Sequence, residues 1–395
     1  ARIGYRRRAC DNQIPVQMKR LLPVLLCCVA LLSCKDERKL TRIDIAEYSS
    51  ETGWIVALDD RYDKWFRSYS ATVLEDTRGD DVEGYQSVMG HDGNFLMIVD
   101  GEIRIFDAAT GMDAGRIVPQ DGGRYVSMDM DTLSGMLYAL DSVHSRIDCV
   151  SSSGGLTGSV QLEGGHVYER AVLIDKGTLL VLASGFSGRE TFIVDLAGGR
   201  VSALDVPADD VVKLSESVVD SLRSMGLPLW TVGRTRDGDV LVKHLFEDIV
   251  YRYDRSGSTP MYQVADAGGI KCSKRGLRLK GKRQTWLTGM WQLGNGLWIL
   301  RYKEYRNGLR LSAYAICNSD MTLYNNTIAY NSSRMWWTAP GLNVYDIRPE
   351  DIITVGPGGH RIYRLKAYSK SVHLPPSMQE DLGRGEVILC VFDLK

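Results

Sequence analysis

The chain has 395 residues, of which 44% are hydrophobic, and its 48 basic and 49 acidic residues leave a formal net charge of −1. That length allows one large domain or two ordinary ones, and the charge balance argues against a nucleic-acid binder. Forty glycines, 11 prolines and few helix-length patterns point to a turn-rich β protein.

Residues 1–17 include Arg6-Arg7-Arg8 and read as upstream sequence translated from a misplaced start, because Met18 opens a short secretory pattern. Lys19 and Arg20 form its charged region. Leu21 to Leu32 is an apolar run of 12 residues, short for a bilayer span. The run ends Leu31-Leu32-Ser33-Cys34, which resembles the lipobox of bacterial lipoproteins. That resemblance makes residues 18–33 a signal peptide, Cys34 the lipidated residue and residues 34–42 the lipidated Cys with its tether. Losing residues 1–33 would leave 42 basic against 48 acidic residues, a net −6. The trio Lys35-Asp36-Glu37 resembles surface-export signals that follow the lipidated Cys in lipoproteins of the Bacteroides group.

From residue 43 onward the pattern is β. Strand-like segments at 43–49 and 54–58 precede a phrase that recurs as FLMIVDGEIRIFDAATG (95–111), MLYALDSVHSRIDCVSSSG (136–154), LLVLASGFSGRETFIVDLAGG (179–199) and VLVKHLFEDIVYRYDRSG (240–257). Each copy is an apolar strand, a polar break, an alternating strand ending in Asp, and a Gly-containing turn. Alternation at a period of two places one set of side chains against a neighbouring layer, while Asp and Gly supply turn chemistry. The anchors Asp107, Asp148, Asp195 and Asp254 are 41, 47 and 59 residues apart, the size of a four-stranded repeat. Repeats of that size predict a β-propeller. Looser copies at 297–317 and 352–371 bring the count to six, which predicts six blades, with seven as the alternative because insertions blur the spacing. The C-terminal VILCVFDLK (387–395) is expected to close the ring with the N-terminal segments at 43–49 and 54–58, leaving no exposed edge. The propeller therefore covers 43–395.

Three segments lie outside the repeat. Residues 207–228 combine an opening Pro and Asp, a helical period through Val211, Leu214, Val218, Val219 and Leu222, and a stop at Gly226 and Pro228. They read as a short helical insertion. Residues 271–283 carry seven cations and no acid: Lys271, Lys274, Arg275, Arg278, Lys280, Lys282 and Arg283. On a loop or outer strand, they would suit an anionic glycan, a lipid phosphate or a membrane surface. Trp286, Trp291, Trp336 and Trp337 follow, and flat rings suit sugar faces and protein contacts. Trp298 lies in a strand and reads as core.

No catalytic motif is legible. The six His residues (His91, His144, His166, His244, His360 and His373) include no pair spaced as metal ligands from one element. No cofactor is expected, although calcium held by Asp and Asn from separate blades would leave no mark on sequence spacing. Of eight Cys, Cys10, Cys27 and Cys28 fall before Cys34, leaving Cys149, Cys272, Cys317 and Cys390. Their wide spacing carries no metal signature, and four Cys in an oxidising envelope allow three full pairings.

Taken in order, these features resemble the six-bladed β-propeller lipoproteins of the Bacteroides group. The resemblance rests on the lipobox at Cys34, the phrase at 95–111, IVPQDGGRYVSM at 117–128 with Gly122, Gly123 and Tyr125, the acidic pair before Tyr251 in Phe246–Tyr251, and the ending VILCVFDLK. It implies an outer-membrane lipoprotein, periplasmic or cell-surface facing, with a propeller domain. The expected function is a binding or scaffolding module for a glycan or an envelope protein, attached to the membrane through its lipid. A metal-dependent hydrolase or lyase with its site in the central channel is the alternative.

Overall fold

The computed structural model describes residues 40–44, 66–78, 88–91, 93–151, 153–184, 190–204, 222, 227–264, 270–273, 276–279, 283–306, 309–330, 352–367 and 387–395. The described residues from Thr41 to Lys395 fall in one compact unit. The expected signal segment at 18–33, Cys34 and the expected tether up to residue 39, Trp336 and Trp337 lie outside the described residues. So does residue 207–228 apart from Leu222, Leu227 and Pro228.

Strands β1 (Thr41–Ile43) and β2 (Phe66–Val73) precede a series of antiparallel meanders. The first sheet holds β3 (Val88–His91), β4 (Asn94–Val99), β5 (Glu102–Asp107) and β6 (Asp113–Ile117), paired in chain order. The second holds β7 (Tyr125–Asp131), β8 (Met136–Asp141), β9 (Arg146–Val150) and β10 (Leu156–Gln161). The third holds β11 (Val167–Asp175), β12 (Thr178–Ser184), β13 (Glu190–Asp195) and β14 (Arg200–Ala203). A fourth meander follows, with β15 (Trp230–Arg234), β16 (Val240–His244), β17 (Ile249–Asp254) and β18 (Gly257–Val264). After a separate hairpin of β19 (Ile270–Ser273) and β20 (Gly276–Leu279) comes a fifth, with β21 (Arg283–Gln292), β22 (Trp298–Arg306), β23 (Leu309–Cys317) and β24 (Leu323–Tyr330). Last come β25 (Ile352–Val355), β26 (Arg361–Ala367) and β27 (Val387–Leu394).

Local chemistry explains these elements. Strand β12 is buried at every residue and apolar from Leu179 to Ala183, as a strand covered on both faces should be. Between β4 and β5 the turn is only Asp100-Gly101, both at positive φ (53° and 89°), the conformation a two-residue hairpin needs. The fourth and fifth meanders touch through β15 and β21, which pair in parallel at Gly233↔Met290. A Cβ on Gly233 would sit 2.3 Å from the Met290 side chain and 2.5 Å from its carbonyl oxygen, so glycine is what lets the two strands approach.

The core follows the same order. One cluster joins the first sheet to the second through Leu96, Ile103, Met128 and Leu137. Others join second to third, third to fourth, and fourth to fifth. Ile299, Ile316, Ile362 and Phe392 join the fifth meander to the last sheet, and Phe95, Phe106, Tyr363 and Leu389 join the last sheet back to the first. Each layer is thus covered by its neighbours in sequence, and the series returns to its start. The unit is all-β, with sheets packed as in a β-propeller.

Closure brings in a strand that the sequence pattern did not single out. In the last sheet β27 pairs with β26 on one side and with β2 on the other, with Tyr69 opposite Phe392 and Val73 opposite Ile388. The sheet does join both ends of the unit, and the described strand that does so is 66–73; of the expected segments, 43–44 lies elsewhere and 45–49 and 54–58 lie outside the described residues. Strand β1 instead adds in parallel to the edge of β18, where Ile43 is fully buried; residues 45–65 lie outside the described residues.

The repeat also needs two corrections. The copies at 95–111, 136–154, 179–199, 240–257 and 297–317 fall on the second and third strands of their meanders. The copy at 352–371 falls on β25 and β26, the first and second. The matching third strand is β27, whose VFDLK repeats the ending of IFDAA and IVDLA. Arg361 pairs with Asp393 as Asn94 pairs with Asp107 and Thr178 with Asp195, so Asp393 is the anchor of this copy. Asp148 is not an anchor: it lies inside β9, fully buried, opposite Ala139. Ser151 takes the turn position there, its Oγ accepting from the Gly155 amide at 3.2 Å.

Leu222, from the expected helical insertion, is helical and fully buried beside Leu227, Leu229 and Trp230. Among the described residues no helix is long and apolar enough to cross a membrane.

Candidate functional site

Asp107, Asp254 and Asp195 end their strands with the side chain turned back on the backbone. Asp107 Oδ1 accepts from the amides of Ala109 and Thr110 and from the Thr110 hydroxyl. Asp254 does the same with Ser256, and Asp195 with the Ala197 amide. This edge of each sheet also carries the turn between its first and second strands. At the closing sheet the edge is open and forms a cleft.

The cleft has a volume of about 710 Å³ and lies among the β25–β26 turn, the end of β3, the start of β2 and the end of β27. Its sequence origin is Gly356-Pro357-Gly358-Gly359. Pro357 starts a short 3₁₀ turn, and Gly358 and Gly359 follow at φ of 71° and 72°. A Cβ on Gly359 would lie 2.5 Å from the Gly294 nitrogen. The turn therefore rests directly on the β21–β22 turn, and the Gly294 amide donates to the Gly359 carbonyl at 2.9 Å. The His360 ring covers Gly294, and the His360 carbonyl accepts the Leu394 amide at 2.8 Å. Across the cleft Gly90 gives room for the Tyr363 ring, whose Cζ is 1.9 Å from where a Cβ would stand.

The charged groups converge on Asp393. Ser68 donates its hydroxyl to Oδ2 at 2.6 Å, and Arg361 Nε donates to Oδ1 at 2.5 Å. Partial burial pushes the Asp393 carboxyl up, but the bonds from Ser68 and Arg361 and the charges of Arg361 and Arg67 outweigh it and hold it below its usual value. Arg361 is raised in turn, chiefly by its bond to Asp393. Arg67, Lys395, His91 and His360 also face the cleft. The arrangement offers several cations, one side-chain carboxylate that is already engaged, and hydroxyl and imidazole groups able to bond a polar ligand.

A second polar network lies at the opposite edge of the second sheet. Asp141, fully buried, accepts from the amides of Arg124 and Val143 at 3.0 Å each and lies 2.7 Å from His144 Nδ1. Burial raises its carboxyl, yet these bonds leave it lowered. Arg146 bridges to Asp148 at 2.9 Å, and the Tyr125 hydroxyl donates to Asp148 at 3.0 Å. Burial and the Asp148 charge push the Tyr125 phenol well above its usual range. This chain ties the start of β7 to β8 and β9. Among the described residues no three His, Cys, Asp or Glu side chains are grouped as a metal site.

Of the residues singled out from the sequence, Trp286 is only 4% exposed and packs with Trp230, Leu180 and Leu182. Its reading as a contact for a partner is corrected to core, because β21 turns it toward the third and fourth meanders. Trp291 is half-buried against the closing cluster. Lys271 and Arg278 stand directly opposite each other in the β19–β20 hairpin, and Arg283 opens β21 opposite Arg306. Lys274, Arg275, Lys280 and Lys282 lie outside the described residues. Among the described residues Cys149, Cys317 and Cys390 form no disulfide, and Cys390 Sγ lies 2.6 Å from an Arg364 guanidinium nitrogen. The sequence reading missed Arg67, Arg361 and Asp393. The one available signal was the VFDLK ending, which marks Asp393 as a repeat anchor.

No protein-family model and no curated protein matches the sequence. Among solved structures, a protein from Bacteroides fragilis named as exported has a TM-score of 0.55 at 9% identity, over 90% of this chain and 99% of its own. A DUF4221 family member from Bacteroides vulgatus has a TM-score of 0.48 at 10% identity, over 84% of this chain and 97% of its own. Virginiamycin B lyase from Staphylococcus aureus has a TM-score of 0.47 at 9% identity, over 82% of this chain and 99% of its own. At such identities the first likeness extends to the fold alone, and the other two are too distant to carry an argument.

Proposed function

We propose that this protein is a six-bladed β-propeller, lipid-anchored through Cys34 at the cell envelope, that binds a glycan or an envelope-protein partner. The observation that carries the binding reading is the cleft at the closing sheet. Its walls come from separate strands fixed by glycine contacts, and its cationic, hydroxyl and imidazole groups converge on one space of the size of a small-molecule site. The order of the meanders and the core clusters that link each to the next support the count of six blades. The envelope location draws on the secretory pattern at 18–33 and on Cys34. No cofactor enters this reading.

Two measurements test it. Cells fed labelled palmitate should label the wild-type chain and not the Cys34→Ala variant; an unlabelled wild-type chain would sink the anchor. Glycans incubated with the purified chain should be recovered bound and chemically unchanged. Turnover of any of them, measured by mass spectrometry, would replace the binding reading with an enzymatic one.

A further inference from the structure

We infer that the cleft at the closing sheet takes an acidic sugar and grips its carboxylate or sulfate with Arg67, Arg361 and Lys395. This inference rests on the binding reading above and names its ligand class.

The first support is local charge against global charge. The chain as a whole has one more acid than base. The cleft has three permanently cationic side chains, Arg67, Arg361 and Lys395, against the side-chain carboxylate of Asp393 and the α-carboxylate of Lys395. Composition does not predict that imbalance, and a concave wall focuses its field on whatever enters. Arg67 and Lys395 are both exposed, so their cationic ends are available to a ligand.

The second support is that the one acidic side chain is engaged. Asp393 accepts from Ser68 and Arg361, and its lowered carboxyl stays ionised at neutral pH. Its charge therefore goes mainly into fixing the Arg361 guanidinium. A guanidinium fixed in this way loses less freedom when it bonds a planar carboxylate or a sulfate. After that pair cancels and the Lys395 ammonium is set against its own α-carboxylate, Arg67 leaves the cleft with one net positive charge.

The third support is size and the remaining chemistry. A volume of about 710 Å³ falls within the range of small-molecule sites, roughly 300–1,000 Å³, and suits one or two sugar rings. A bare inorganic anion would use little of it. His91, His360 and Thr132 add groups suited to sugar hydroxyls.

Calorimetric titration of the full chain tests this with digalacturonate, a sulfated chondroitin disaccharide, neutral cellobiose and inorganic sulfate as probes. At least one acidic disaccharide should bind, more weakly as salt is raised, and the two acidic probes tell carboxylate from sulfate recognition. The Arg67→Gln/Lys395→Gln double variant should weaken binding by about tenfold or more, equivalent to at least about 1.4 kcal/mol, while its thermal melt stays at the wild-type temperature. Arg67→Lys, which keeps the charge, should retain most of the affinity. Equal affinity for cellobiose, sulfate binding as tight as either disaccharide, unchanged affinity in the double variant, or no binding of either acidic disaccharide would each overturn the inference. Binding of cellobiose alone would overturn it and leave the broader binding reading standing, whereas cleavage of a probe would overturn that broader reading.

Discussion

Lys243 lies on β16 with only 1% of its surface exposed, and burial pushes its ammonium down from 10.5 to about 8. The charge of exposed Asp248 offsets only part of that effect. A native pKa near 8 against an unfolded value near 10.5 corresponds to about 3 kcal/mol. The native value is the lower one, so between these limits the unfolded chain binds more protons and stability rises with pH. Below pH 8 the folded chain carries the full cost of the buried charge. Lys243→Met keeps the length and removes the charge. Nζ donates to the His244 carbonyl at 3.0 Å, but that carbonyl also accepts the Glu247 amide at 3.1 Å, so the exchange leaves no orphaned acceptor. The variant should be more stable than wild type by up to about 3 kcal/mol at pH 7, with the gap shrinking steadily toward pH 10. Urea unfolding at pH steps from 7 to 10 measures this. A gap that does not vary with pH, or a variant less stable than wild type at pH 7, would refute the reasoning.

Two further expectations concern closure. Phe392 is fully buried on β27, its ring centroid 5.3 Å from that of Phe66, so Phe392→Ala should cost about 3–5 kcal/mol in chemical denaturation. Tyr69 stands opposite it and is 39% exposed, so Tyr69→Ala should cost less than about 1 kcal/mol; similar losses from the two would count against the β2–β27 pairing. Gly90→Ala would drive a methyl group into the Tyr363 ring, which is only 3% exposed. A loss of about 1–3 kcal/mol in a thermal melt is expected, and an unchanged melting temperature would mean the closing and first sheets do not meet there.

The repeat was legible because its physics is local. Apolar runs such as Leu179–Leu182, two-residue turns such as Asp100-Gly101 and anchors such as Asp107 all act within a few residues, so pattern alone locates them. The closing strand was not legible. Phe66–Val73 reads FRSYSATV, and its exposed middle hides an outer strand among polar residues. Its identity depends on β27, more than 300 residues away. Asp148 misled for a related reason: it ends an alternating run as Asp107 does, but only pairing register reveals that it sits within the strand. The cleft was invisible because its groups come from the start of β2, the end of β3, the β25–β26 turn and the end of β27. The aromatic signal failed at Trp286, since a large ring satisfies core packing and a binding surface equally well by sequence.

The bond from Ser68 to Asp393 spans 325 residues of sequence. Bringing two such points together costs about 5 kcal/mol of chain entropy by the usual loop estimate, and contacts this remote form late in folding. The cleft is built at that junction. Its binding groups are assembled only when the circuit of sheets is complete, so whatever occupies the cleft recognises the closed chain over any open intermediate. Occupancy is therefore linked to closure by mass action: a ligand held between the first and last sheets acts as a clasp on the whole molecule.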